Sequence, residues 1–379
     1  MKKLAILGST GSIGQQTLDV VRSFPDEFRV IGLAGGRNAS LLAAQIDEFQ
    51  PKLAYSALKL SLPHRTTLSS MEEIAIHPEV DIVVIATSGK MGLLPTLAAV
   101  KAGKRVALAN KEVLVMAGEI IVAQAKQHHA TVIPLDSEHS AIWQCLRGEK
   151  KAGVARLILT ASGGPFYRYT PSQLAKVTAE QALQHPTWKM GKKVTIDSAT
   201  LLNKGLEIIE AHWFFGIPYE KIDVLIHPQS IIHSLVEFKD GSLKAQMSFP
   251  DMRIPIQYAL FHPRRSLNPR LPRTALPQIK TLTFEAVDYN RFPCLQLALN
   301  AGKMRGTYPA VLCAADEIAV ELFLAGQIGF SEISEIIAET ISLHHVIPNP
   351  TVEQILTADA WARDTARAIA NRGSLCYRQ

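Results

Sequence analysis

Through the first third of the chain, short apolar runs bounded by glycine-rich or polar turns alternate with stretches whose apolar positions recur every three to four residues. Residues 3–7, 28–34, 80–86, 105–109 and 131–135 read as buried strands, and residues 15–23 and 93–102 as helices between them. Strands interleaved with helices pair in parallel, because each connection has to cross back over the sheet. Residues 156–160 predict another strand, and residues 199–215 a helix capped by Ser198. The stretch 263–288 begins rich in Pro, Arg and Asn and reads as a connector. Helical spacing then returns at residues 294–301, 308–324, 331–344 and 351–371, enough for a small bundle.

The pattern thus predicts an α/β chain in three parts: a Rossmann-type domain over 1–135, an α+β domain over 136–262 and, after the 263–288 connector, a helical domain over 289–379. At 379 residues and 47% hydrophobic content the chain can bury a substantial core. Forty Lys and Arg against 34 Asp and Glu leave a net charge of +6 without long like-charge runs, which points away from nucleic acid and towards a phosphorylated small molecule or cofactor. The N-terminal apolar stretch is too short for a signal peptide and reads as the first strand. No segment approaches the ~20 apolar residues needed to cross a bilayer. Cys145, Cys294, Cys313 and Cys376 lack metal-type or redox-type spacing, so the expected setting is a reducing cytoplasm.

Gly8-Ser9-Thr10-Gly11-Ser12-Ile13-Gly14 lies between the first strand and the first helix. Gly8 permits the tight turn, Gly11 lets backbone approach a pyrophosphate, and the helix N-terminus offers N–H groups and a positive dipole end. The spacing is G-x-x-G-x-x-G rather than G-x-G-x-x-G. After the second strand, at Gly35-Gly36-Arg37-Asn38, an NAD enzyme would carry an acid for the ribose hydroxyl. Arg37 stands there instead, and a guanidinium suits the 2′-phosphate of NADPH; a surface arginine is the alternative.

Asp136 and Glu138 are two apart after a predicted strand, so their side chains are expected on one face of an extended chain where a single cation touches both. Oxygen donors without Cys or His favour Mg2+ or Mn2+. A solvated turn would carry the same pair. Asn203, Lys204 and Glu207 share a helical face, the alternative being a solvated Lys–Glu pair. Asn110-Lys111-Glu112 falls on the same strand-end rim as Asp136, and would also serve as a helix cap. The glycines of Ala161-Ser162-Gly163-Gly164 expose backbone N–H groups suited to phosphate. Residues 185–191, with Trp188 between Pro186 and Gly191, have the composition of a lid or of a loop whose Trp plugs a core edge. His227 and His233, six apart on a strand-like run, stand too far apart to share a metal and suit a structural or subunit-contact role.

The motifs GSTGSIG, NKE, DSEH, ASGGPF, HPTWxMGxKxTIDSATLxNKGLE and HPQSIIHS, in this order, resemble the 1-deoxy-D-xylulose 5-phosphate reductoisomerase family over essentially the whole chain. The resemblance implies an NADPH- and metal-dependent homodimer acting on a small phosphorylated sugar. It makes Asp136, Glu138 and Glu207 the metal ligands. Lys111, Ser137, Glu138, Ser162, His185, Ser198, Asn203, Lys204 and Glu207 become the substrate site, with Glu138, Lys111, His185 and Trp188 acting in the chemistry. Thr10, Gly11, Ser12, Ile13, Gly36, Arg37, Asn38, Asn110, Glu112 and Gly191 become cofactor contacts. Trp188 and Met190 resemble the family's flexible lid, and Arg37 departs from a Lys common in the family. Two rival readings fit less well: a semialdehyde or homoserine-type dehydrogenase, for which Cys145 makes a poor nucleophile, and a non-catalytic NADPH sensor, which has no use for clustered carboxylates.

Overall fold

Leu4, Ala5, Ile6 and Leu7 are fully buried because their strand, β1 (Lys2–Leu7), lies in the interior of a seven-stranded sheet. Its companions are β2 (Phe28–Gly35), β3 (Leu53–Ser56), β4 (Thr67–Leu68), β5 (Ile82–Ile85), β6 (Arg105–Leu108) and β7 (Thr131–Pro134). The order is β4-β3-β2-β1-β5-β6-β7, every observed pairing parallel. The order reverses between β1 and β5, and in such sheets ligands bind beyond the carboxyl ends of the strands at that crevice. The computed structural model describes residues 1–59 and 65–376.

The chain divides into two compact units. The first comprises Met1–Val113, Gly118–Arg147 and Gln246–Ala275; the second comprises Leu114–Ala117, Gly148–Ala245 and Leu276 onward. These units do not follow the boundary at 262 that composition suggested. Helix Arg253–Phe261 returns to the first unit, where Ile256, Ala259, Leu260 and Phe261 join the core formed by Leu4, Ile6, Leu18 and Leu33. The Phe261 ring lies 4.7 Å from Phe24 and 4.8 Å from Phe28. Each large side chain so buried contributes about 1.5–3 kcal/mol, which outweighs the polar composition that follows it.

In the second unit, β8 (Val154–Ala161) lies parallel to β9 (Ile222–Ile226) and antiparallel to β10 (Ile232–Phe238) in a sheet ordered β11-β10-β8-β9-β12. Its outer strands are β11 (Leu243–Met247) and β12 (Glu285–Ala286), the latter supplied by the expected connector. The expected C-terminal helices form at Pro293–Met304, Tyr308–Leu324, Glu332–Ser342 and Val352–Cys376. Among the described residues, no helix is long and apolar enough to cross a membrane.

Three local expectations change. Asp136 and Glu138 do not continue a strand: Asp136 caps helix Ser137–Cys145 by accepting the Ser137 N–H, and Glu138 falls in its first turn. The expected helix over 199–215 starts at Leu202 and runs to Phe215; a separate helix, Lys192–Ala199, precedes it, and Leu201 between them is left-handed with φ 57°. Ser198 therefore ends the first helix rather than capping the second. Likewise, 226–233 is not one extended run, because Ser230 turns left-handed (φ 50°) between β9 and β10.

Candidate active site

In the first unit the glycine loop is a packing solution. Gly8 has φ +95°, and a Cβ there would lie 2.3 Å from the Ala86 carbonyl oxygen. At Gly14 a Cβ would lie 2.2 Å from the Gly8 carbonyl oxygen, so helix Ser12–Ser23 can approach the loop only with glycine at that point. No side chain caps this helix, whose N-cap is Gly11. Thr10, Gly11, Ser12 and Ile13 thus line an N-terminus suited to an anion. Beyond β2, Gly36, Arg37 and Asn38 are exposed, and Asn38 caps helix Ala39–Phe49 by accepting from Leu41 N at 3.1 Å.

The rim continues beyond β6 and β7. Asn110 caps helix Lys111–Gln127, accepting from Val113 N at 3.2 Å while its amide donates to the Gly89 carbonyl at 2.9 Å. Asn110 is thus a helix cap, yet Lys111 and Glu112 behind it are buried rather than solvated. Lys111 Nζ lies 2.9 Å from Asp136 Oδ2. Ser137 Oγ donates to Glu138 Oε2 at 2.5 Å. Lys111, Asp136, Ser137 and Glu138 therefore gather at two adjacent strand ends.

The second unit holds the remaining residues. Gly163 and Gly164, at φ +85° and +65°, turn the chain sharply after β8, and a Cβ on Gly164 would lie 2.6 Å from the Ser198 carbonyl oxygen. The ASGG turn thus seats directly against the end of helix Lys192–Ala199. Ser162 Oγ lies 3.0 Å from His185 Nε2 and accepts the Gly164 N–H at 3.2 Å. Burial pushes the His185 pKa down to about 4. Segment 183–191 carries no regular structure; within it Trp188 is half-buried, its ring 6.1 Å from that of His233. Gly191 is the N-cap of helix Lys192–Ala199.

On helix Leu202–Phe215, Asn203 donates to Glu207 Oε1, and Lys204 Nζ pairs with Glu207 Oε2 at 2.5 Å. Lys204 and Glu207 are 4% and 1% exposed, which replaces the solvated-pair reading with a buried ion pair. Such a pair is expensive to desolvate and is weak evidence of stability alone, so a recognition role is the more economical explanation. His227 accepts the N–H groups of Ile231 and Ile232 at Nε2, and its Nδ1 lies 2.9 Å from the Thr283 carbonyl. It braces the β9–β10 turn, in keeping with a structural role. The buried Lys193–Asp197–Asp316 cluster was not foreseen. The signals for it were a Lys and an Asp four apart and an acid inside the apolar Tyr308–Leu324 helix.

Three family models match the chain. The 1-deoxy-D-xylulose 5-phosphate reductoisomerase model matches residues 4–118, its C-terminal domain model 132–215, and a further DXP reductoisomerase C-terminal domain model 247–365. The 1-deoxy-D-xylulose 5-phosphate reductoisomerase of Desulforamulus reducens is 51% identical over 97% of this chain and 99% of its own. That of Caldanaerobacter subterraneus is 53% identical over 96% and 98%. The Zymomonas mobilis enzyme, solved in complex with NADPH, superposes with a TM-score of 0.89 at 40% identity, covering 97% of this chain and 99% of that one. A reductoisomerase solved with NADPH, fosmidomycin and magnesium gives 0.89 at 39%, covering 98% of each. With identity of this level along nearly its entire length, the chain belongs to the 1-deoxy-D-xylulose 5-phosphate reductoisomerase family.

Proposed function

We propose that the chain converts 1-deoxy-D-xylulose 5-phosphate and NADPH to 2-C-methyl-D-erythritol 4-phosphate, a step in making isoprenoid precursors. The observation that carries this is family identity over nearly the whole chain with the acidic residues and both lysines in place. The substrate's carbon skeleton rearranges to an aldehyde, which is then reduced. Neither rival dehydrogenase nor sensor explains the set, and Cys145 is buried in its helix rather than presented as a nucleophile.

Asp136, Glu138 and Glu207 would hold the divalent ion. Their all-carboxylate chemistry fits Mg2+ or Mn2+. When bound, such an ion supplies Lewis-acid polarisation of substrate oxygens, and NADPH supplies hydride. Lys111, paired with Asp136, would direct a positive charge at the reacting end of the substrate, and Ser137 would hydrogen-bond there. Glu138 would hold or release a proton at its Oε atoms.

Ser162, Ser198, Asn203 and Lys204 would bind the substrate phosphate, with His185 orienting the Ser162 hydroxyl. Trp188 would cover the bound molecule and exclude water. Thr10, Gly11, Ser12 and Ile13 would take the NADPH pyrophosphate, with Gly36, Arg37 and Asn38 at the 2′-phosphate and Asn110, Glu112 and Gly191 nearer the nicotinamide. In this division of labour residues 1–135 serve NADPH, 136–262 catalysis, 263–288 connection and 289–379 support. We assign the working form as a cytoplasmic homodimer.

The test is NADPH oxidation with 1-deoxy-D-xylulose 5-phosphate, with and without a chelator. Substrate-dependent, chelator-sensitive oxidation is expected. Oxidation that is absent with this substrate, or indifferent to chelation, would overturn the reading.

A further inference from the structure

Lys193 projects from the first turn of helix Lys192–Ala199, and its ammonium lies 2.6 Å from Asp197 Oδ2, one turn further along. The same ammonium lies 2.7 Å from Asp316 Oδ2 on helix Tyr308–Leu324. Asp197 and Asp316 are 1% and 0% exposed, whereas Lys193 retains 25%. One lysine thus joins two deeply buried carboxylates that belong to different helices. Cys294, on helix Pro293–Met304, sits beside them: burial pushes its thiol pKa up, and both carboxylates push the same way. Three helices therefore converge on this charged cluster.

Burying two carboxylates is costly, and a purely apolar contact between these helices would hold at least as well. What the ion cluster adds is direction, because a lysine bridging two fixed carboxylates tolerates little sliding or rotation of one helix against the other. The held helix is short, and its ends matter. Gly191 opens it immediately after the Trp188 segment, Ser198 lies in its last turn, and left-handed Leu201 follows before Asn203 and Lys204. Ser198 also has the Gly164 turn against its carbonyl.

We propose that Lys193, through Asp197 and Asp316, is a positioning residue for the phosphate-binding end of the site: it fixes helix Lys192–Ala199 on helix Tyr308–Leu324 and so fixes where Ser198 presents its hydroxyl. This rests on the reading that Ser198 binds the substrate phosphate. It gives the C-terminal helices a specific part in substrate recognition beyond general support.

The experiment compares Lys193→Met, Lys193→Arg, Asp316→Asn, Ser198→Ala and the double variant Lys193→Met/Ser198→Ala in the full-length enzyme. Melting temperature, kcat, and KM for each substrate are measured. Lys193→Met and Asp316→Asn are expected to raise KM for 1-deoxy-D-xylulose 5-phosphate about tenfold, while kcat and KM for NADPH stay within about twofold and Lys193→Arg restores most of the loss. If Lys193 acts through Ser198, the double variant is little worse than Ser198→Ala alone. Additive losses, or a lowered melting temperature with unchanged KM, would overturn the proposal. Should a single variant fail to fold, the triple variant Lys193→Met/Asp197→Asn/Asp316→Asn removes every charge at nearly constant volume, and a wild-type KM there overturns it equally. An unchanged KM in Ser198→Ala refutes the phosphate assignment itself, and the Lys193 proposal falls with it; a raised KM in Ser198→Ala beside a normal one in Lys193→Met refutes only the latter.

Discussion

His185 and Ser162 meet through Nε2 and Oγ at 3.0 Å, and the other face of the imidazole decides which of them donates. His185 Nδ1 accepts the N–H groups of Thr187 at 3.1 Å and of Trp188 at 2.9 Å, so it carries no proton. The ring proton of the neutral histidine is therefore on Nε2 and points at Ser162. Ser162 Oγ, which also accepts from Gly164, is left with its own proton to donate elsewhere. A phosphate oxygen is a suitable acceptor.

A pH dependence follows. The fold holds His185 at about 4 against an ordinary 6.5, so the neutral ring is favoured by folding. Its stabilising contribution is complete above 6.5 and is lost as pH falls from there to about 4. Protonation would place a hydrogen on Nδ1 and expel the two amides, loosening residues 185–188. Histidine 15N NMR should give an Nε2-protonated ring with a midpoint well below 6.5, and proteolysis near Lys189 should increase in the same window. An ordinary midpoint would contradict this geometry.

Arg37 is exposed beyond β2 where a 2′-phosphate is expected. Replacing it with Ala should remove a charge-assisted contact of about 1.5–3 kcal/mol, roughly ten- to a hundredfold in NADPH affinity. NADH affinity should change little. Equal losses for both nucleotides, measured by titration, would remove Arg37 from the cofactor site.

The β1 strand, the Gly8–Gly14 loop and the Tyr308–Leu324 helix are written locally, in apolar runs, glycines and 3.6-residue spacing. The start of helix Ser137–Cys145 was harder to see, because Asp136 itself is extended (φ −62°, ψ 142°) and the period changes only after it. The breaks at Leu201 and Ser230 carry no glycine, so left-handed turns there have no local signature. Burial of Lys204 and Glu207 is set by what packs over their helix, which spacing along the helix does not encode. The proposed site residues stand out as a set because the motif order, rather than any single spacing, is specific.

Segment 183–191 lacks regular structure, and Trp188 is its natural reporter. Substrate analogue, NADPH and metal added together should change tryptophan fluorescence in the wild type but not in Trp188→Phe, and should protect Lys189 from protease. Identical responses in both proteins, with no protection, would make the segment a static loop and Trp188 a plug.

The acidic residues give the most demanding test. Glu207→Gln keeps the side-chain shape but removes a charge that faces Lys204 inside the protein. Breaking a buried pair costs about 3–5 kcal/mol, so a lower melting temperature is expected in addition to any catalytic effect. Catalysis should fall by orders of magnitude, whereas NADPH affinity, which we assign to the Gly8–Gly14 loop and Arg37, should be retained and so certify a folded cofactor domain. Added Mg2+ or Mn2+ should recover part of the rate if the carboxylate serves mainly to bind the ion. Lys204→Met/Glu207→Gln removes the stranded ammonium and should regain stability; because Lys204 is itself assigned to the substrate phosphate, this variant reports on stability alone. Near-normal turnover of Glu207→Gln, with NADPH affinity intact, would leave Glu207 as a structural partner of Lys204 and take it out of the metal site.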